Sequence, residues 1–182
     1  SRRGARTEEF IGCLKQIWTS DVVSYDGEFY RMPPARVEPH PLQQPHPPLL
    51  MGGGAERALR RVGALADGWI SASRHDLRRI GTDIGTIQQA ARDAGRDPDR
   101  LRFIVRGVIE LRESPDGSAD RRPLHGNADQ IRADLAGLAG QGVTEVFLDL
   151  NFDPRVGSPD ADPDESLRYA EAVMTAFAPV DG

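Results

Sequence analysis

The sequence has one cysteine in 182 residues, Cys13, which excludes an intrachain disulfide and leaves too few thiols for a zinc cluster. On a helix face it reads as a small apolar filler, not a nucleophile. No apolar run approaches the length needed to cross a bilayer. The opening Ser1-Arg2-Arg3-Gly4 has no hydrophobic segment behind it, so it is not expected to be a secretory signal, and the cytoplasm is the expected compartment. A basic excess is also missing. Lys and Arg total 23 against 28 Asp and Glu, a net charge of -5, and the basic residues, nearly all arginine, are dispersed. That balance offers no attraction to nucleic acid or an anionic membrane. The histidines His40, His46, His75 and His125 lack ligand spacing to Cys13 or to one another, so no metal site is expected. Nothing matches a Ser-His-Asp hydrolase, a Walker phosphate loop or a zinc protease.

What is present is an alternation of short apolar runs and helical periods, expected to form one domain over residues 1–182. Phe10, Ile11, Leu14, Ile17 and Trp18 recur at helical spacing, with Thr7 expected to cap that helix. Val22 to Tyr30 contains two β-prone pieces around Asp26-Gly27, the pattern of a small hairpin. Seven prolines between Pro33 and Pro48 remove too many amide donors for helix or sheet. Residues 19–48 are therefore expected to form a hairpin and a proline-rich insertion that crosses a barrel mouth.

Leu49-Leu50-Met51 runs into Gly52-Gly53-Gly54 and then a helix over 55–66. Trp69 to Ala72 is a second strand, followed by a helix with Asp76 as its cap and Leu77, Ile80, Ile84, Ile87 and Ala91 as its stripe. Gly95 suits a left-handed termination. Leu101 to Leu111 is the longest β-like run, and Arg112 to Pro123 reads as a surface loop. Asn127 and Gln130 form a capping box for the next helix. Val143 to Leu150 is the final strand. The last helix should bury Leu167, Ala170, Val173, Met174 and Phe177.

Strands separated by helices of this length indicate parallel βα units with right-handed crossovers. Two α/β folds fit: a small doubly wound open sheet, or part of a (β/α)8 TIM barrel comprising about the last four βα units. A complete barrel needs roughly 250 residues and eight strands. A barrel piece would expose sheet edges and one side of its core.

Several stretches resemble the bacterial-luciferase-like monooxygenase family, which includes deazaflavin-dependent enzymes. They are Glu8-Glu9-Phe10 through Trp18-Thr19, Val23 to Tyr30, Pro39-His40-Pro41 through Gly52-Gly53-Gly54, Ala64-Leu65-Ala66-Asp67-Gly68-Trp69-Ile70, Ala94 to Pro98, and Gly126 to Ile131 with Gly142-Val143. Their order and spacing carry the resemblance, since no single motif does. It implies the carboxyl-terminal part of such a barrel and a cofactor that is either FMN or the deazaflavin coenzyme F-420, with overall similarity favouring the latter. It also implies a small organic substrate, with monooxygenation or hydride transfer as the chemistry, and a homo-oligomer or an association with the rest of the barrel as the assembly. On this reading the fragment alone is inactive. A structural or interaction domain derived from the same barrel is the alternative.

The residues divide accordingly. Gly52, Gly53 and Gly54 end a strand and open a helix, where bare amides can approach a cofactor phosphate; equally they can form a tight βα turn. Arg57 and Arg60, in the first helical turns, can assist or be solvent-facing charges. Ser71 and Ser73, at the end of the second strand, can donate to phosphate or substrate. Trp69 can fill the core or flank a ring system, and Arg106, inside an apolar strand, must pair internally or meet an anion. His40, Trp69 and Arg106 are the substrate-pocket candidates. Asp149 and Asn151 end the last strand without forming a recognisable acid-base pair, so no catalytic residue is assigned.

Overall fold

In the computed structural model, which describes residues 2–178, helix α1 spans Arg2–Thr19. It begins before Thr7, because nothing in 2–6 breaks a helix. The Thr7 hydroxyl donates to the Arg3 carbonyl one turn back and caps nothing. Cys13 is a buried free thiol on this helix. Strands β1 (Val23–Asp26) and β2 (Arg31–Ala35) form an antiparallel ribbon. The turn between them is longer than an Asp-Gly pair, since the Glu9 carboxylate of α1 accepts the amides of Glu28, Phe29 and Tyr30. Pro33 and Pro34 lie within β2, which the proline content argued against; a two-stranded ribbon consists only of edges, where a missing donor is tolerated.

The centre is a parallel sheet in the order β3 (Leu50–Gly52), β4 (Gly68–Ile70), β5 (Arg102–Val108) and β8 (Glu145–Asp149). Helix α2 (Glu56–Leu65) connects β3 to β4, and α3 (Ile80–Asp93) connects β4 to β5 after a 3-10 turn capped by Asp76. Gly95 takes a left-handed φ of 69° and ends α3 as expected. The run from Leu101 breaks at Ile109, and Glu110–Leu111 becomes β6, paired with β7 (His125–Gly126) in a separate two-stranded sheet. Helix α4 (Ala128–Gly140) carries the Asn127–Gln130 capping box. After β8 come α5 (Pro154–Gly157) and α6 (Pro163–Phe177). Among the described residues, eight strands fall into three sheets, consistent with a partial (β/α)8-type barrel that is not fully closed.

Strand alternation assigns the two faces of the sheet. Trp69 pairs in register with Phe103 and Met51, and these point with Val105 into the helix-covered core. The other face carries Ile70, Ile104, Arg106 and, from β8, Phe147, which is 53% exposed. Helix α6 buries Tyr169 and Val173, whereas Leu167 and Met174 of the expected stripe are 58% and 71% exposed. The Tyr169 hydroxyl accepts the Leu111 amide, which rotates the inward face around that contact.

The segment after β5 is held by Leu124, fully buried at a left-handed φ of 65°. A β-carbon on Gly107 would run into the Leu124 side chain. Bidentate pairing of Arg121 with Asp134, whose carboxylate also accepts the Leu124 amide, fixes the loop to α4. Replacing Gly107 by Val should lower stability by roughly 1–3 kcal/mol through overpacking. Gly137→Ala, on a helix face with nothing within 4 Å, should raise it by about 0.5–1 kcal/mol. Urea denaturation of both variants checks the contrast.

Candidate functional site

The C-terminal ends of β3, β4, β5 and β8 lie side by side, the edge at which barrels of this kind carry chemistry. Gly53, at φ 127°, turns the chain out of β3 into α2. A side chain there would meet Ala58, and one at Gly54 would meet His75. The cap position Ala55 has no side-chain oxygen to offer, and the amides of Gly54, Ala55 and Glu56 find no acceptor among the described residues. The result is a small cradle of bare N–H groups at the positive end of a helix, a fit for a phosphate. Arg57 is exposed on the first turn of α2, while Arg60 is occupied by Glu56 at 3.0 Å.

Trp69 supports this turn from beneath. It is fully buried on the helix side of the sheet, and its Nε1 donates to the Gly53 carbonyl at 2.8 Å. Its expected place in a substrate pocket is therefore replaced by a fixed role under the glycines, because the register with Phe103 points the indole away from the uncovered face. The ring meets His75 edge-on at 5.3 Å, and His75 Nε2 lies 2.6 Å from the buried carboxylate of Asp83. Spacing along the sequence tests His75 only as a metal ligand; the residue that marks this pair is Asp83, a buried acid within the apolar stripe of α3.

At the end of β4, the Ser71 hydroxyl accepts the Arg106 amide at 3.0 Å and is buried. Arg106 Nη2 donates to Asp149 Oδ2 at 2.9 Å, and its guanidinium lies 5.4 Å from the Phe147 ring centre. Its Nε is buried without a partner among the described residues. Asp149 is fully buried. Burial pushes its carboxyl up, but the Ser73 hydroxyl, the Asn151 backbone and side-chain amides and the Arg106 guanidinium together hold it below the ordinary range. Farther out, Glu110 is kept ionised first by its bond from Arg112 and also by His125, whose Nδ1 lies at 3.1 Å.

His40 is not brought to this cluster by any recorded contact; its Nε2 is buried without a partner among the described residues. The end of the proline-rich stretch around it is anchored where β3 and β4 begin: Leu49 N donates to Asp67 Oδ2 at 2.8 Å, and the His46 ring lies 5.8 Å from Trp18 and beside Asp67. The stretch must enter β3 at that end, which draws its last residues to the opposite edge from the glycine turn. No helix is long and apolar enough to cross a membrane, and no group of three or more His, Cys, Asp or Glu positioned to hold a metal occurs, both among the described residues.

A parallel βα sheet of this order is consistent with part of a (β/α)8-type barrel. The model of the luciferase-like monooxygenase family matches residues 1–122, and the chain belongs to that family. An uncharacterized protein of Mycobacterium tuberculosis is 30% identical over 178 residues, which is 97% of this chain and 52% of the relative. The FMNH2-dependent dimethylsulfone monooxygenase of Pseudomonas putida is 37% identical over 161 residues, 81% of this chain and 43% of that enzyme. The chain thus spans about half the length of the curated relatives it matches. Among solved structures, the coenzyme F-420-dependent tetrahydromethanopterin reductase of Methanopyrus kandleri superposes with a TM-score of 0.69 at 18% identity, covering 96% of this chain and 64% of that one. A monooxygenase from Streptomyces bottropensis gives 0.70 at 20% identity, covering 96% and 61%. At these identities the likeness is one of fold.

Asp149 provides a pH test. Its folded pKa lies below its unfolded one, so its stabilisation is complete above the ordinary aspartate value of about 3.9 and is lost as pH falls through the lower folded value. Asp149→Asn should cost on the order of 2 kcal/mol at pH 7 and flatten the acid limb of stability against pH. Urea denaturation at several pH values measures both effects.

Proposed function

We propose that the chain is the carboxyl-terminal wall of a luciferase-like barrel oxidoreductase that uses reduced FMN or the deazaflavin coenzyme F-420. The observation that carries this reading is the cradle at Gly52, Gly53 and Gly54, with its free amides, its uncapped helix and the Trp69 bond beneath it. Family membership and the pairing of an F-420-dependent enzyme with FMN-dependent ones among the similar proteins support the cofactor class. The residues fit a phosphate, which both cofactors carry. Gly53 and Gly54 would bind it through their amides, Arg57 would add charge from the first turn of α2, and the Ser71 hydroxyl lies on the next strand. When bound, the cofactor supplies the redox chemistry, either oxygen activation or hydride transfer.

The protein's part is then positioning. Arg106 and Asp149 place one fixed cation and one fixed anion at the rim, and Ser71 locks β4 to β5 beside them. A small organic substrate would meet Arg106 and the half-buried face of Ile70 and Ile104. His40, if it serves the substrate, would have to reach the rim from the connector.

The uncovered sheet face favours a further reading of the assembly: this wall pairs with the remainder of a barrel, or with a second copy, through Ile104 and Phe147. Sedimentation velocity should show self-association at micromolar concentration, and Phe147→Lys should reduce it at least tenfold. A monodisperse monomer that unfolds cooperatively would overturn the assembly.

Anaerobic titration with reduced FMN, reduced F-420 and reduced riboflavin tests the cofactor. The two phosphorylated cofactors should outbind riboflavin by about tenfold or more, and Gly53→Val should erase that advantage. Equal binding of FMN and riboflavin, or no binding of either cofactor by the native assembly, would remove the assignment.

A further inference from the structure

We propose that the cavity between the loops after β4 and β5 binds a small organic anion, an oxyanion head on an apolar body. The cavity has a volume of about 710 Å³, and its lining includes His75, which a side chain at Gly54 would meet. Its cations are Arg74, Arg78 and Arg122, and its apolar lining is Leu77, Val108 and Phe152.

Three arginines without a carboxylate partner converge on this one cavity. Arg102, Arg106, Arg112, Arg121 and Arg155 each pair with a carboxylate. Among the described residues, no carboxylate lies within ion-pair distance of the Arg74, Arg78 or Arg122 guanidiniums, as the pairs at 4 Å or less all involve other arginines or histidines. The two acids of the lining are already engaged: Asp76 accepts the Arg78 amide as a cap, and Glu110 is held by Arg112 and His125. The lining thus sets three arginines against two carboxylates that are already engaged, a local cationic excess in a chain of net charge -5. A concave surface with an excess of one sign concentrates oppositely charged ligands.

Solvated surface arginines are common, but two of these are fixed in place. The Arg74 guanidinium stacks 5.1 Å from the Phe152 ring centre, and Arg78 Nη2 donates to the Arg121 carbonyl at 3.0 Å. Arg121 is itself clamped by Asp134. Part of the ordering cost of gripping an anion is thus met before it arrives. The apolar floor then selects a ligand with a body as well as a head, since a bare ion would leave Leu77 and Val108 uncovered. Identifying this ligand as the substrate rests on the oxidoreductase reading; its binding does not.

Titration of the chain without cofactor, followed by amide chemical shifts, tests the site with phenylphosphate, benzoate, inorganic phosphate and benzyl alcohol. Phenylphosphate and benzoate should shift the amides of Ser73 to Arg78 and of Arg122, and should bind about tenfold or more tightly than benzyl alcohol or inorganic phosphate. The exposed substitutions Arg74→Gln and Arg122→Gln should each weaken both anions about tenfold while leaving the spectrum dispersed. Equal binding of the alcohol, equal binding of inorganic phosphate, unchanged affinity in both variants, or no binding by a folded chain would each overturn the proposal. Reduced FMN titrated separately keeps the two assignments apart. Loss of FMN binding with anion binding intact removes only the cofactor reading, and the reverse removes only this one.

Discussion

A parallel sheet has two faces, and the described chain covers one of them. Everything else in the structure follows from how the side chains are shared between those faces. Period-two alternation puts Trp69, Phe103 and Val105 against α2, α3 and α4, where they are removed from water almost completely. The same alternation leaves Ile104, Arg106 and Phe147 on the other side, with Asp149 completing the row. Hydrophobic burial on the first face fixes the register, and the register determines which polar groups meet at the strand ends. Arg106 reaches Asp149 because Val108 is paired with Asp149 in the ladder.

Much of this order was legible in the residues because it is local. The Asn127–Gln130 box, the Asp76 cap and the left-handed Gly95 depend on neighbours within a few positions, and each forms as read. The parallel βα alternation was legible for a similar reason, since helices between short apolar runs leave few connections open. What was not legible is set by distant partners. A three-residue strand is too short for periodicity to assign sides, so the direction of Trp69 had to come from its pairing with Phe103. The inward face of α6 depends on a hydrogen bond between Tyr169 and Leu111, 58 positions apart.

The site was legible as composition more than as geometry. Three glycines after a strand mark a place where backbone is exposed, and the bare amides there agree with that. The groups around them were harder to find. His75 and Asp83 are eight residues apart on different elements, and Ser73 meets Asp149 only across the sheet. In the connector, the proline content points to irregular backbone but does not specify how the segment enters β3. Asp67 supplies that, by drawing Leu49 and His46 to the edge where the strands start.

Leu124 has a consequence for how the rim can change. Its side chain occupies the space that Gly107 leaves in β5, and its backbone sits in a conformation that leucine seldom adopts. Withdrawing it would open a void in the core and release the Asp134 clamp together, so the loop's inner end behaves as masonry and not as a door. Residues 113–120 are largely exposed and touch that footing chiefly through Asp116, whose backbone exchanges two bonds with the Gln130 side chain. Charge or length changed on either side of Asp116 would alter the outer arc while leaving the footing in place.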